Sequence, residues 1–188
     1  MGTEIARLTR LFENIVDMAR IEAKAVSAEP QWVPPGEIVE SALQQLGDAI
    51  DRGRVAVIVA PESLVARVDP RLTATALAHV VENAAHYSPP KSRIDVRVSV
   101  ADDELRIVTR DRGAGIAAAD RDRLFERFYR GAASGQRFGT GMGLAIARGL
   151  LAAEQGRIWA DNHPDGGAVV TIAVPAPIRQ PAVQEESM

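Results

Sequence analysis

The sequence of 188 residues contains no cysteine, and this absence excludes several kinds of chemistry at once. Without thiols the chain can form no disulfide, no thiolate zinc site and no cysteine nucleophile. Lysine is scarce as well, because only Lys24 and Lys91 are lysines among the 22 basic residues. The formal net charge is −3, and no basic run alternates with aromatic residues, so the sequence gives no sign of a nucleic-acid-binding surface.

Long apolar runs are also missing. No stretch approaches the ~18 consecutive apolar residues of a membrane-spanning helix, and the N-terminus lacks the basic-then-apolar order of a signal peptide. The hydrophobic content of 46% is nevertheless sufficient for a core of ordinary size. We therefore expect one globular domain with one accessory element.

Apolar residues near the N-terminus recur at helical spacing, three and four residues apart. The stripe consists of Ile5, Leu8, Leu11, Phe12, Ile15, Met18 and Ala19. An isolated helix of about 25 residues with this pattern is not stable in water, so we expect it to pack on a partner helix. The three prolines in residues 28–36 break helix geometry and predict a linker there.

Beyond the linker, helical and strand-like patterns alternate. Helices are predicted at residues 37–50, 70–87, 121–128 and 141–155. Strands are predicted at residues 55–59 and 65–68 around a Pro61 turn, and then at 94–100, 105–109, 157–160 and 168–174. This order predicts the α+β class, as a two-layer α/β sandwich with helices on one face of a mixed, mostly antiparallel sheet.

Two polar segments are candidates for a binding site. In the helix at residues 70–87, His79, Asn83, His86 and Tyr87 lie opposite the apolar face. Residues 111–115, Asp-Arg-Gly-Ala-Gly, follow a strand, where the carboxylate can accept a hydrogen bond from a ligand amine and the glycines permit close approach. Alone, such a segment is a tight turn as often as a site.

A third segment, Gly-Thr-Gly-Met-Gly-Leu at residues 139–144, opens a helix. Its amides and the helix dipole favour a phosphate group, and its spacing is neither that of a Rossmann fingerprint nor that of a P-loop. Asn83, Asp111 and Gly139 follow one another at equal intervals of 28 residues, from 83 to 111 and from 111 to 139. Few families have this series.

In these segments the sequence closely resembles the ATP-binding catalytic domain of sensor histidine kinases, within the GHKL superfamily. The resemblance covers the N box at 80–88, the G1 box at 111–115, the F box at 125–130, the G2 box at 139–143 and, at 11–22, the second helix of the dimerisation hairpin. The residues at 87–90 and 156–160 make it most similar to the potassium-responsive Kdp-type sensor kinases.

The resemblance implies the Bergerat ATP-binding fold and a role for each matching residue. Asn83 would hold Mg²⁺ on the triphosphate, Asp111 would bind the adenine amino group, and Tyr87 would pack on the base. Arg130, in preference to Arg127, would neutralise the terminal phosphate. Further nucleotide contacts are implied for His86, Gly113, Gly115, Gly139, Thr140, Gly141, Gly143 and Leu144.

Some positions depart from the family or leave alternatives open. His79 stands where the family usually has asparagine, and His86 where it often has lysine, so for each histidine a structural role and a phosphate contact both stay open. Residues 131–138 match the family's lid, and we expect Phe125 and Phe128 to anchor it in the core.

None of the three histidines has the His-Glu/Asp-x-x-x-Pro context of a phosphoacceptor. We therefore expect a fragment that begins within the second hairpin helix, although a natural protein acting on another chain's histidine stays an alternative. The expected division is a partial hairpin at 1–27, a linker at 28–36, a catalytic domain at 37–175 and a disordered tail at 176–188.

The resemblance implies a protein-histidine kinase that uses ATP and Mg²⁺ and phosphorylates a histidine-bearing hairpin of its parent kinase. It also implies a response regulator acting through that parent, a homodimer through the N-terminal helix as one option, and a cytoplasmic location below a membrane-bound sensor. Two alternatives stay open: a nucleotide-binding module without kinase activity, and an ATPase of the same superfamily. The ATPase alternative is weakened because His79 stands where such ATPases place a water-orienting glutamate.

Overall fold

The computed structural model describes residues 2–130 and 140–180, with only the backbone described at residues 2–4, 6 and 7. In these ranges the helices are α1 (Gly2–Glu22), α2 (Pro35–Leu46), α3 (Pro70–Tyr87) and α4 (Gly143–Ala153). The strands are β1 (Gln31–Val33), β2 (Val55–Ala60), β3 (Val65–Val68), β4 (Ile94–Ala101), β5 (Glu104–Arg110), β6 (Arg157–Asn162), β7 (Ala168–Pro175) and β8 (Ile178–Arg179). Short 3-10 helices cover Gly47–Ala49, Arg52–Arg54 and Ala118–Arg123.

Five strands form the main sheet in the order β2-β4-β5-β7-β6. β2 and β4 are parallel, and the other neighbouring strands in this sheet are antiparallel. A smaller antiparallel sheet contains β1, β3 and β8. The predicted mixed, mostly antiparallel sheet is therefore confirmed.

The core lies between the main sheet and three helices. Alternation along β4 directs Ile94 and Val96 inward, while Arg97 stays exposed on the opposite face. Helices α2, α3 and α4 cover the inner face with Ile38, Leu43, Leu77, Val80, Val81 and Leu151. This arrangement confirms the predicted two-layer sandwich with helices on one face.

Local capping explains where α3 begins. The Asp69 side chain accepts hydrogen bonds from the backbone N–H groups of Arg71 at 2.9 Å and Leu72 at 3.2 Å, and Pro70 occupies the first helical turn. A long-range contact reinforces the cap, because Asp69 N–H donates to Oε1 of Glu154 after α4 at 2.6 Å. The start and end of α3 agree with the sequence prediction.

Pairing between distant segments decides three features that the local sequence does not show. The strands on either side of Pro61 belong to different sheets, β2 to the main one and β3 to the small one. The expected linker at 28–36 contains β1, because Gln31–Val33 pairs with β3. The expected disordered tail is wrong for residues 176–180, because β8 pairs with the other edge of β3 and Ala176 is fully buried. Residues 181–188 lie outside the described residues.

The N-terminal helix α1 has two apolar faces. Its inner face packs on α4 through Met18 and Ile21, and a Cβ on Gly149 would lie 2.5 Å from Cγ2 of Ile21. Its outer face exposes Ile5, Leu8, Leu11, Phe12 and Ile15. None of the helices in residues 2–130 and 140–180 has the length and apolar character that a membrane span requires.

Candidate functional site

A polar stripe on α3 aligns His79, Asn83 and Tyr87, each four residues from the next. With a rise of 1.5 Å per residue, the stripe extends over about 12 Å. The His79 side chain packs against the start of α4, where a Cβ on Gly143 would be 3.4 Å from the His79 Nδ1. Tyr87 lies at the loop after β5, where a Cβ on Gly113 would be 2.6 Å from the Tyr87 carbonyl oxygen. Asn83 therefore lies between the two glycine-containing segments.

Asp111 follows β5 and is held by the backbone around it. Its side chain is largely buried, and its Oδ1 accepts hydrogen bonds from Gly113 N–H at 2.7 Å and Ala168 N–H at 3.0 Å. The Asp111 N–H in turn donates to the Ala168 carbonyl at 3.0 Å. No donor in the described part of the chain reaches Oδ2. The bonds to Oδ1 thus fix the carboxylate, and Oδ2 receives no hydrogen bond from the described residues and can accept one from a ligand.

Asn162, at the end of β6, secures the loop that follows Asp111. Its Nδ2 donates to the Ile116 carbonyl at 2.9 Å, and its Oδ1 accepts from Ile116 N–H at 2.7 Å. Gly115 packs against the same amide, because a Cβ there would lie 2.8 Å from Oδ1 of Asn162. Asn162 cannot be recognised from the sequence, since its partner is 46 residues away and an asparagine before a turn is a common local feature.

The residue after Asp111 connects this loop to α3 and β4. Arg112 N–H donates to Oγ of Ser88 at 3.2 Å, directly after the end of α3. The Arg112 guanidinium pairs with Oδ2 of Asp95 at 2.6 Å. Burial by itself would raise the pKa of Asp95, but Arg93 and Arg112 together hold that pKa below its usual value. The ion pair therefore favours a charged Asp95 and a fixed loop.

The second glycine-containing segment leads into α4. Gly141 has φ +69°, and a Cβ there would lie 2.9 Å from the Tyr129 carbonyl oxygen, so glycine is required by both backbone and contact. Met142 N–H donates to Oγ1 of Thr140 at 3.3 Å. The Leu144 side chain is buried in the core. Gly139, also proposed as a site residue, lies outside the described residues.

The segment at 125–130 packs beside this loop. The Tyr129 hydroxyl donates to Oδ1 of Asp120 at 2.6 Å, and the bond raises the pKa of Tyr129. Phe125 packs against the core as predicted. The same prediction is wrong for Phe128, whose side chain is 70% exposed, because its left-handed backbone (φ 59°) reverses the chain before the ring can reach the core. Residues 131–138, expected as a lid, lie outside the described residues.

The remaining basic candidates differ in their surroundings. Nη1 of Arg127 forms an ion pair with Oε1 of Glu22 on α1, whereas Arg130 is exposed at the end of the described segment. The choice of Arg130 over Arg127 stays a prediction. The ring of His86 packs edge-on against Tyr87, with 5.2 Å between ring centroids. Burial lowers the pKa of His79. A structural role and a phosphate contact stay predictions for His79 and His86.

A metal ion at this site would need ligands from elsewhere. In the described ranges, no group of three or more His, Asp or Glu side chains could hold a metal. The Asn83 amide carries a hard oxygen of the kind that Mg²⁺ accepts, and phosphate oxygens commonly complete its coordination. The residues present therefore fit Mg²⁺ only together with a phosphate-bearing ligand.

The fold and the site together define a class of protein. A mixed sheet covered on one face by helices, a fixed carboxylate after β5 and a glycine-containing loop that opens a helix are the features of a histidine-kinase-type ATP-binding domain. Residues 68–178 match the family model described as histidine kinase-, DNA gyrase B-, and HSP90-like ATPase. The chain belongs to this family.

Individual relatives support the same assignment. The sensor protein KdpD of Escherichia coli (strain K12) is 31% identical over 171 residues, which cover 91% of this chain and 19% of that protein. This match confirms the similarity to Kdp-type kinases. The sensor-like histidine kinase SenX3 of Mycobacterium bovis is 34% identical over 176 residues, covering 92% of this chain and 43% of SenX3.

A solved structure has the same fold. The crystal structure of full-length ShkA in complex with AMPPNP is 21% identical in sequence and matches with a TM-score of 0.78, over 93% of this chain and 37% of ShkA. The likeness confirms the predicted fold. The chain spans less than half the length of each of these three relatives.

Proposed function

We propose that this chain is the ATP-binding catalytic part of a sensor histidine kinase and that it transfers the γ-phosphoryl group of ATP to a histidine outside the chain. The main support for this proposal is the hydrogen bonding of the Asp111 carboxylate. The N–H groups of Gly113 and Ala168 hold one oxygen, while the other receives no hydrogen bond in the described part of the chain. The adenine amino group is a donor that suits this oxygen, whereas guanine places a carbonyl acceptor at the same position.

The stripe on α3 gives the proposed direction of the nucleotide. With the base at Asp111 and its ring beside Tyr87, the phosphates run along α3 toward the start of α4. Asn83, between these ends, offers its amide oxygen to Mg²⁺, which would neutralise phosphate charge when bound. Gly141 and Gly143 offer amides at the N-terminus of an 11-residue helix. The other proposed nucleotide contacts are His86, Gly113, Gly115, Gly139, Thr140 and Leu144.

The proposed reaction needs an acceptor from the parent kinase. A nitrogen of the acceptor histidine forms a bond to the γ-phosphorus, the bond from that phosphorus to the β,γ-bridging oxygen breaks, and ADP leaves. Arg130 is our candidate for the side chain that stabilises the negative charge on the γ-phosphoryl oxygens. His79, His86 and His163 are not proposed as acceptors, because none has a phosphoacceptor sequence around it.

The segments around the site also suggest how this chain fits into the parent kinase. In the parent kinase we assign α1 (Gly2–Glu22) to the second helix of a hairpin, and the segment from β1 to β8 (31–179) to the catalytic domain. The exposed apolar face of α1, from Ile5 to Ile15, suits another helix of the parent kinase's hairpin or a second copy of the hairpin. We further propose that the parent is a membrane-bound sensor with this part in the cytoplasm, and that it passes phosphate to a response regulator.

Calorimetric titration tests the binding step. ATP with Mg²⁺ should bind, GTP should bind more weakly because it lacks the amino donor facing Asp111, and chelation of Mg²⁺ should weaken ATP binding. Equal affinity for ATP and GTP would contradict the assignment of Asp111. Asn83→Ala should remove most of the difference between titrations with Mg²⁺ and with chelator, and an undiminished difference would place the metal elsewhere.

Radiolabelled ATP tests the transfer step. The chain alone should not become labelled, whereas a separate dimeric hairpin of the parent kinase should be labelled slowly, because separate chains lack enforced proximity. The label should survive alkali and be lost in acid. Release of free phosphate without labelling would favour the ATPase alternative, and binding without either reaction would favour a regulatory module. Undiminished transfer by Arg130→Ala would shift the assignment to Arg127.

A further inference from the structure

Helix α1 runs along the edge of the proposed nucleotide site and is held by ion pairs at two points. Near the middle of the helix, Nη1 of Arg10 pairs with Oε1 of Glu82, the residue before Asn83. At its end, Oε1 of Glu22 pairs with Nη1 of Arg127 in the segment at 125–130. The two ion pairs join α1 to two of the segments that surround the site.

Between these two ion pairs, α1 packs on the beginning of α4. Met18 of α1 lies in a small buried cluster with Met142, Ile146 and Leu150. Met142 directly precedes the first residue of α4 and follows Gly141. Helix α1 therefore contacts the glycine-containing loop directly, through Met142.

Asn14 makes the polar contact at this point. The residue is 6% exposed, and its Nδ2 donates to Oγ1 of Thr140 at 3.4 Å across 126 residues of sequence. The same hydroxyl oxygen accepts the Met142 N–H at 3.3 Å. A buried amide is unfavourable unless it is hydrogen-bonded, and Asn14 forms no other side-chain hydrogen bond within the described residues. The Thr140 hydroxyl is thus held from two sides, by α1 and by the start of α4.

We propose that Asn14 is a positioning residue of the phosphate-binding loop, so that docking of α1 sets the affinity for the phosphates of the nucleotide. The proposal rests on the proposed function, since it takes residues 140–143 to bind phosphate. Without Asn14, Thr140 can rotate and the neighbouring amides lose their fixed directions. By thermodynamic linkage, phosphate binding favours the docked position of α1 by the same factor. Asp111, at the other end of the site, has no hydrogen bond to α1 in the described ranges, so base binding should be independent of Asn14.

The test compares two alanine substitutions in the full chain. Asn14→Ala removes the contact to Thr140, and Glu13→Ala removes an exposed neighbour on the same helix. The affinity for AMPPNP with Mg²⁺ is measured by calorimetry, and that for adenosine by NMR titration. Asn14→Ala should weaken AMPPNP binding about three- to tenfold, the range that one neutral hydrogen bond supports. It should leave adenosine binding unchanged, and Glu13→Ala should change neither affinity.

A loss confined to the phosphate-bearing ligand separates positioning from a general effect on folding. If Asn14→Ala weakens adenosine and AMPPNP equally, or weakens neither, the proposal is wrong. In a Thr140→Val background, Asn14→Ala should have no further effect, because the hydroxyl through which it acts is gone. An additional loss there would also overturn the proposal. If the parent chain binds neither ligand, the proposed function fails first, and that result is visible before any variant is compared.

Discussion

Gly167 lies directly against the backbone of Asp111, so that a Cβ at position 167 would overlap the Asp111 carbonyl oxygen. Gly167 has φ +86°, and its neighbour Gly166 has φ +90°, but a Cβ on Gly166 would meet open space. At both positions the backbone conformation would strain an L side chain. Only a side chain at position 167 would also clash with Asp111. Comparing alanine substitutions at 166 and 167 therefore separates backbone strain from the steric clash at the site.

Gly167→Ala should disrupt both the site and the fold. Backbone strain and overlap together should lower the free energy of unfolding by about 2–4 kcal/mol, against about 1 kcal/mol for Gly166→Ala. ATP affinity should fall at least about tenfold in the first variant, since 1.4 kcal/mol of lost binding is enough for that change, and little in the second. Denaturant unfolding and calorimetry measure the two effects. Similar losses in both variants would show that the contact with Asp111 does not matter.

Asp111→Asn should weaken ATP binding without unfolding the chain. The asparagine oxygen can still accept from Gly113 and Ala168, but its NH₂ group then faces the adenine amino donor. Loss of a hydrogen bond to a charged group costs about 1.5–3 kcal/mol of binding free energy, so the affinity should fall by roughly 10- to 150-fold. Asp165→Asn, which neutralises an exposed carboxylate on the neighbouring hairpin, is the matched control. Equal calorimetric affinities for the Asp111 variant and the parent would contradict the base contact.

Tyr129 should ionise late in an alkaline titration. Its hydroxyl donates to Asp120, and removal of that proton would leave two negative charges together, so the pKa is raised. Because the folded pKa lies above that of the unfolded chain, this contribution to stability is present below the unfolded pKa of about 10 and is lost as the pH rises further. The chain has two tyrosines, so ultraviolet absorbance can follow them. Tyr129→Phe should remove the late step, and Tyr87→Phe should leave it in place.

Glu154 should make stability fall as the pH rises toward neutrality. Burial raises its pKa, and the adjacent Asp69 charge adds to this, against the hydrogen bonds from Asp69 N–H and the Thr73 hydroxyl. The folded protein thus binds this proton more tightly than the unfolded chain does. The stabilisation is complete below the unfolded pKa of Glu and is lost as the pH rises through the folded value.

The substitution Glu154→Gln isolates this effect. Glutamine retains an oxygen for Asp69 N–H but cannot become charged. The Tm of the variant minus that of the parent should therefore increase between about pH 4 and about pH 7. Titrating groups remote from Glu154 are common to both proteins and cancel in the difference, and Asp69, whose pKa is lowered, stays ionised over this range. A Tm difference that stays constant over this range would mean that Glu154 does not titrate differently in the folded state.

Local signals in the sequence were sufficient for many of the elements. Asp69 and Pro70 begin α3, and Ser88 with the prolines after it ends the helix, because capping and the missing proline amide act within one turn. The same holds for the β4–β5 hairpin, where alternating residues surround an acidic turn. The order and spacing of Asn83, Asp111 and the glycine-containing loop were likewise enough to identify the family, because order and spacing are properties of the linear sequence and do not depend on which residues touch.

The tertiary structure decided what depends on distant partners. β2 and β3 adjoin in sequence but lie in different sheets, and β8 forms because β3 offers it an unpaired edge. Asn162 holds a loop 46 residues away, and Asn14 reaches Thr140 across 126 residues. Strand propensity and helical periodicity describe which groups a segment can present, whereas hydrogen bonds and packing depend on which surfaces the folded chain brings within contact distance. The sequence by itself therefore determined the family and the kinds of residue at the site, and the fold alone decided which of them touch.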